Sequence, residues 1–197
     1  SPPLSHPLEM GSYRIRLQRE GVPDVLYPVS VGRGSHWSCE APDGRTHPIY
    51  LPSPGELGHA ECYVPGGWYH AGGDQEAPGA LPAQRVWVPS FSMQRFQVTN
   101  ADYIAFLNDL VREGRQEEAD RFAPRERVGE SEQLGAHVYH RGPEGLFELQ
   151  KDASGEQWQP DWPVLMVDWH GCSAYAAWFS GKTGKSWRLP TELEWEK

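Results

Sequence analysis

In the stretch SYRIRLQ, Tyr13, Ile15 and Leu17 alternate with Arg14, Arg16 and Gln18, which is the period of a strand with one face buried. GVPD then turns the chain, and VLYPVSV from Val25 to Val31 returns as a second strand, so a β hairpin is expected near the start. RVWVPSFSMQRFQVTN, beginning at Arg85, reads as two strand segments broken near Pro89. Val86, Val88, Phe91, Met93 and Phe96 are the expected core there. The period then changes. Tyr103, Phe106, Leu107, Leu110 and Val111 fall on one face of a helix that Thr99 or Asn100 caps and Gly114 ends.

RQEEADRFAP predicts a short charged helix stopped by Pro124, and Arg125 to Gln159 a long hairpin insertion carrying strands AHVYH and LFELQ. From Trp162 the pattern predicts a short buried strand, an N-cap at Asp168, and a helix with Trp169, Cys172, Tyr175, Ala176 and Phe179 inward. Gly181 or Gly184 ends it. TELE is a capping box in which Thr191 and Glu194 open a last helix. Strands and helices without parallel βαβ units imply an irregular α+β fold. Pro, Gly, Ser and Asp dominate between Gly32 and Gly58, so the expected division is 1–32 as the end of a small β module, 33–58 as linker, and 59–197 as a second domain. That domain opens with ECYVPGGWYHAGGD, whose glycines let the backbone turn around Trp68 and Tyr69.

Composition narrows the function. The chain has 38% hydrophobic residues and a mean hydropathy of -0.65; no run of about 18 apolar residues occurs, so no membrane partner is expected. A formal charge of -9 with scattered basic residues argues against nucleic acid. Cys39, Cys62 and Cys172 form no CxxC, which fits a reducing, cytoplasmic compartment without a disulfide framework or zinc site. The opening SPPLSHPLEMGS carries neither an initiator Met nor a signal pattern, and the capped helix at the end is short; both suggest a piece of a longer protein.

The candidate chemistry mostly reduces to structure. Gly184, Lys185 and Ser186 look like the tail of a phosphate loop, but the glycine that such a loop needs earlier is replaced by Phe179, and helix rather than strand precedes it. His137 and His140 would point to opposite faces of one strand and make poor joint ligands. His170 reads as solvated at a helix start, and Glu192, Glu194 and Glu196 as anions favoured by a helix N-terminus. The charged run from Glu113 to Arg121 reads as a solvated face. Trp68, Tyr69 and Trp87 form either core packing or an aromatic cleft for a peptide or sugar.

The ordered segments FQVTNADYIAF, WPVLMVDWHGCSAYAAW and WRLPTELEWEK, after the Gly-rich aromatic opening, resemble the formylglycine-generating enzyme family, also called the sulfatase-modifying factor domain. The resemblance runs from about Tyr63 to Lys197 and covers the N-terminal half of the family domain. It implies a fold related to C-type lectins. In it Val98, Phe106, Trp169 and Trp178 would be buried, Asn100 would cap, and Arg188 would pair with Glu192 or Glu194. It also implies oxidation of a substrate cysteine to formylglycine at a Cu(I)-binding cysteine pair, soft thiolates matching a soft ion. That pair and the calcium ligands belong to the family's C-terminal half, so no catalytic, cofactor-binding or metal residue is assigned to these 197 residues. Cys172 and Cys62 read as packing. Bacterial relatives often follow a Ser/Thr kinase and a β module, and the first hairpin resembles the PEGA class of such modules. A kinase in the same chain and a protein or peptide ligand are therefore expected partners. A non-catalytic, lectin-like binding or sensor module is the alternative function. The non-haem iron sulfoxide synthases are a third relative, but no helical domain carrying their histidine ligands is visible here.

Overall fold

The computed structural model describes residues 6–37, 39–127, 134–151 and 155–197; residues 1–5 of the proline-rich opening, and 128–133 and 152–154 of the expected insertion, lie outside them. In chain order the elements are β1 (Gly11–Leu17), β2 (Val25–Val31), β3 (Glu61–Val64), β4 (Gly67–Ala71), β5 (Gln84–Val88) and β6 (Phe91–Gln94). They continue with α1 (Asn100–Arg112), α2 (Gln116–Phe122), β7 (Arg125–Arg127), β8 (Leu134–His137), β9 (Tyr139–Arg141), β10 (Phe147–Leu149), α3 (Trp169–Thr183) and α4 (Glu192–Glu196). Helix and strand are mixed, and each strand pairing is antiparallel. The chain divides into two compact units, Ser1–Arg95 with Pro190–Lys197, and Phe96–Leu189.

In the first unit β1 pairs with β2 in the expected hairpin, with Ile15 opposite Tyr27 and Tyr13 opposite Val29. Val25, Tyr27 and Val29 are buried while the residues between them are exposed, which is the strand alternation read from the sequence. β3 pairs with β6 and β4 with β5, the latter placing Trp68 opposite Trp87. Pro89 lies between β5 and β6, where its missing N–H breaks no ladder. Val88 is buried as expected, and Val86, Phe91 and Met93 are half-buried. Gly67 leaves room for the buried Tyr27: a Cβ there would stand 2.7 Å from the Tyr27 hydroxyl, so the ring would have to shift. α4 is too short to hold itself and is tied to the β4–β5 hairpin. The Tyr69 hydroxyl donates to the Leu193 carbonyl at 2.7 Å, the Gly72 amide to Glu196 at 2.6 Å, and the Lys197 ammonium to the Gly67 carbonyl at 2.9 Å.

The second unit is built on α1. Thr99 caps it and closes a capping box with Asp102; Gly114, at φ 78, follows its end. Tyr103, Phe106, Leu107 and Leu110 are buried with Ala119, Tyr139, Phe147 and Tyr175. Asn100 is not the cap. It is the first helical residue, fully buried, and its amide donates to the Gln159 carbonyl while its oxygen accepts from the Tyr139 hydroxyl at 2.8 Å. Asn108 exchanges two hydrogen bonds with the backbone of Phe147 and so ties β10 to α1.

Three expectations fail here. The insertion forms two hairpins, β7–β8 and β9–β10, rather than one, because the AHVYH strand breaks at Val138. The expected buried strand after Trp162 is only an isolated bridge between Thr99 and Pro163. Met166 sits there at φ 58, a left-handed conformation that no strand accommodates, and Leu165 and Met166 are exposed. Phe96 and Trp169, expected in the core, are 69% and 68% exposed. Asp168 does cap α3, Tyr175 is buried, and Cys172, Ala176 and Phe179 are half-buried.

Candidate functional site

The first unit contains a cleft of about 840 Å³ between its two hairpins and the segment that follows β2. Trp68 and Trp87 meet there edge to face because the β4–β5 register sets them opposite each other; their ring centroids are 5.7 Å apart. From the other hairpin, Tyr27 stands edge-on to Trp37 with centroids 5.3 Å apart. The Trp68 indole donates to the Glu40 carbonyl at 2.7 Å, which fixes the ring against the backbone there. These aromatics are half-buried or buried and so line the floor. The rim is polar and exposed, with Arg14, His36, His70 and Arg85 beside Glu40. The Arg85 guanidinium lies 4.6 Å from the Trp68 ring centroid, a cation–π contact that leaves its outer edge able to meet an anion.

Burial pushes the Tyr27 hydroxyl up to about 12, with the Cys39 thiol and Tyr63 adding to it. Burial also raises Cys39, against a hydrogen bond from Tyr27 that lowers it. Both groups are therefore neutral near pH 7, and a neutral thiol is a poor nucleophile. Aromatic faces and fixed positive charge equip this cleft for binding rather than for covalent attack.

A smaller cleft of about 480 Å³ lies in the second unit, lined by Phe106, Leu110, Phe122 and Trp178 with Arg115 and Lys182. At its edge Asp109 accepts from Lys182 at 2.6 Å, from the Trp178 indole at 3.1 Å and from Arg112 at 3.2 Å. The Lys182 bond, above all, holds the Asp109 carboxyl below the usual carboxylate range. This cluster ties α1 to α3 through Asp109.

The other candidates separate. His137 ends β8 and His140 lies on β9; burial lowers His137, and His140 is exposed. His170 is exposed in the first turn of α3, edge-on to Trp169. Gly184, at φ 69, closes α3, so Lys185 and Ser186 follow a helix C-terminus, where the dipole repels phosphate. Glu194 completes the capping box with Thr191, and Arg188 donates to the Leu189 carbonyl. Cys39, Cys62 and Cys172 are free; burial raises the Cys172 thiol. Among the described residues no three His, Cys, Asp or Glu side chains group to hold a metal. No helix among the described residues is long and apolar enough to cross a membrane. Of the cleft, Trp68, Tyr69 and Trp87 were readable from the sequence. Arg14, Tyr27, Trp37, Cys39 and Arg85 were not, because only long-range pairing brings them there; the signal was Trp37, a large aromatic in a Gly-rich stretch without periodicity.

Compared with known families, residues 51–197 match the model of the Sulfatase-modifying factor enzyme 1-like domain. The chain belongs to this family. Mouse formylglycine-generating enzyme is 34% identical over 151 residues, covering 68% of this chain and 37% of that protein. Mouse inactive C-alpha-formylglycine-generating enzyme 2 is 33% identical over 161 residues, with 72% and 48% covered. A hercynine oxygenase of Mycolicibacterium smegmatis is 32% identical over 155 residues, with 76% and 33% covered. The chain thus spans less than half the length of these relatives. Within the sulfatase-modifying factor domain lie β3 to β6, and with them Trp68, Trp87 and Arg85; Tyr27, Trp37 and Cys39 lie before the matched residues.

Proposed function

We propose that the chain is part of a formylglycine-generating-enzyme-like protein that oxidises a substrate cysteine to formylglycine. The match of residues 51–197 to the sulfatase-modifying factor domain carries this reading. In it the two units are scaffold and binding surface, with a C-type-lectin-like fold for the domain as a whole. Copper and calcium belong to the portion of the relatives that the match does not cover. The β1–β2 hairpin is the end of a PEGA-like module, and a bacterial, cytoplasmic chain with an attached Ser/Thr kinase is the setting proposed for it.

A second reading is a non-catalytic binding module. Two observations favour it: an inactive relative is as similar as an active one, and the cleft of the first unit offers aromatic faces and arginines around a thiol that burial keeps neutral. The full gene product, loaded with Cu(I) and supplied with oxygen and cysteine-containing peptides, separates the two. Peptide aldehyde captured by a hydrazide reagent is expected for the oxidase. Peptide retained without aldehyde overturns the oxidase and leaves the binding module.

A further inference from the structure

The charge on the aromatic cleft runs against that of the chain. Formal charge over all 197 residues is -9, yet among the described residues lining this cleft Arg14 and Arg85 face one carboxylate, Glu40, and two imidazoles. Its floor offers Trp37, Trp68 and Trp87 as half-buried faces. A hydrophobic, aromatic floor inside a charged rim is the layout of a protein-recognition patch, where aromatics anchor and charges set partner and register. At about 840 Å³, with lining drawn from β1, β2, β4 and β5, the cleft has room for several residues of a peptide segment.

We infer that this cleft binds an extended acidic peptide segment carrying an aromatic residue: carboxylates meet Arg14 and Arg85, and the ring packs among Trp37, Trp68 and Trp87. Charge complementarity selects the acidic partner, because a basic segment would meet two guanidiniums, one of them held over Trp68 at 4.6 Å. The inference does not depend on cysteine oxidation, since its readout is binding alone.

The test is a selection of random peptides displayed on phage against the immobilised 197-residue chain. Enrichment of Asp or Glu next to Tyr, Trp or Phe is expected, and enriched peptides without acidic residues overturn the proposal. A labelled selected peptide, titrated by fluorescence anisotropy, should bind roughly tenfold more weakly to the Arg14→Gln/Arg85→Gln variant. Both arginines are exposed, so this variant should melt as the parent does. Undiminished binding to it, equal binding of a charge-reversed peptide, or binding of adenosine monophosphate with none of any peptide would each overturn the proposal. Failure here leaves the oxidase assay untouched, and aldehyde formation there does not rescue it.

Discussion

Two single residues carry more of the second unit than their size suggests. Asn108 is buried and both accepts from and donates to the Phe147 backbone, at 2.7 and 3.0 Å. Truncating it strands a buried amide and a buried carbonyl at once, so Asn108→Ala should cost about 2–4 kcal/mol in urea melts. A loss under about 1 kcal/mol would mean that water replaces the side chain. Gly171 lets α3 approach α1 closely: a Cβ there would stand 2.6 Å from the Tyr103 hydroxyl. That hydroxyl cannot swing away freely, since it donates to the Phe122 carbonyl at 3.0 Å. Gly171→Ala is therefore expected to destabilise by about 1–3 kcal/mol through overpacking. Adding Tyr103→Phe should recover part of that loss, and simple additivity in the double-mutant cycle would refute the clash.

Among the elements, those with local end signals were legible and those defined by remote contacts were not. Thr99, Asp168 and Thr191 cap their helices as the sequence predicts, because a side chain reaching an amide within its own first turn is a local event. Asn100 illustrates the limit. Beside Thr99 it looks like an alternative cap, but its partners are Gln159 and Tyr139, which no window around residue 100 contains. α4 depends on its cap most, having five residues, so Thr191→Ala should cost about 1 kcal/mol and speed hydrogen exchange at the Glu194 and Trp195 amides before those of α1. Unchanged exchange would show that the ties to Tyr69 and Gly72 suffice. The α1–α3 pairing has a pH signature. Asp109 has a folded pKa below its ordinary value, so the unfolded chain binds its proton first on acidification. Its stabilisation is fully present above the usual carboxylate range and is lost as pH falls through the lowered value. The stability gap between the parent and Asp109→Asn should narrow over that acidic window and stay constant from pH 6 to 8; a gap independent of pH would exclude the charge as its source.

At the scale of the whole molecule, alternation and helical period identified which residues are apolar but not which apolar residues are covered. The first hairpin shows the method working, since period two survives in its burial pattern. The stretch from Trp162 to Trp169 shows it failing: an apolar run was read as a buried strand, whereas a left-handed turn at Met166 and a single bridge to Thr99 leave Trp162, Leu165, Met166 and Trp169 exposed on the second unit. Phe96, also exposed, lies just before Val98 and Thr99, which pair with Val164 and Pro163. Folded proteins seldom present large contiguous apolar patches to water, and such patches bind hydrophobic reporters. The 197-residue chain should therefore enhance the fluorescence of an anilinonaphthalene dye while keeping its near-ultraviolet circular dichroism, which separates a native patch from a molten state. The Leu165→Glu/Trp169→Glu variant should lose most of the enhancement with little change in melting temperature, because neither side chain is buried in the unit that carries it. If dye binding persists in that variant, the reporter is reading loosened core instead; if melting falls by many degrees, these side chains are packed and the exposed strap does not exist in solution.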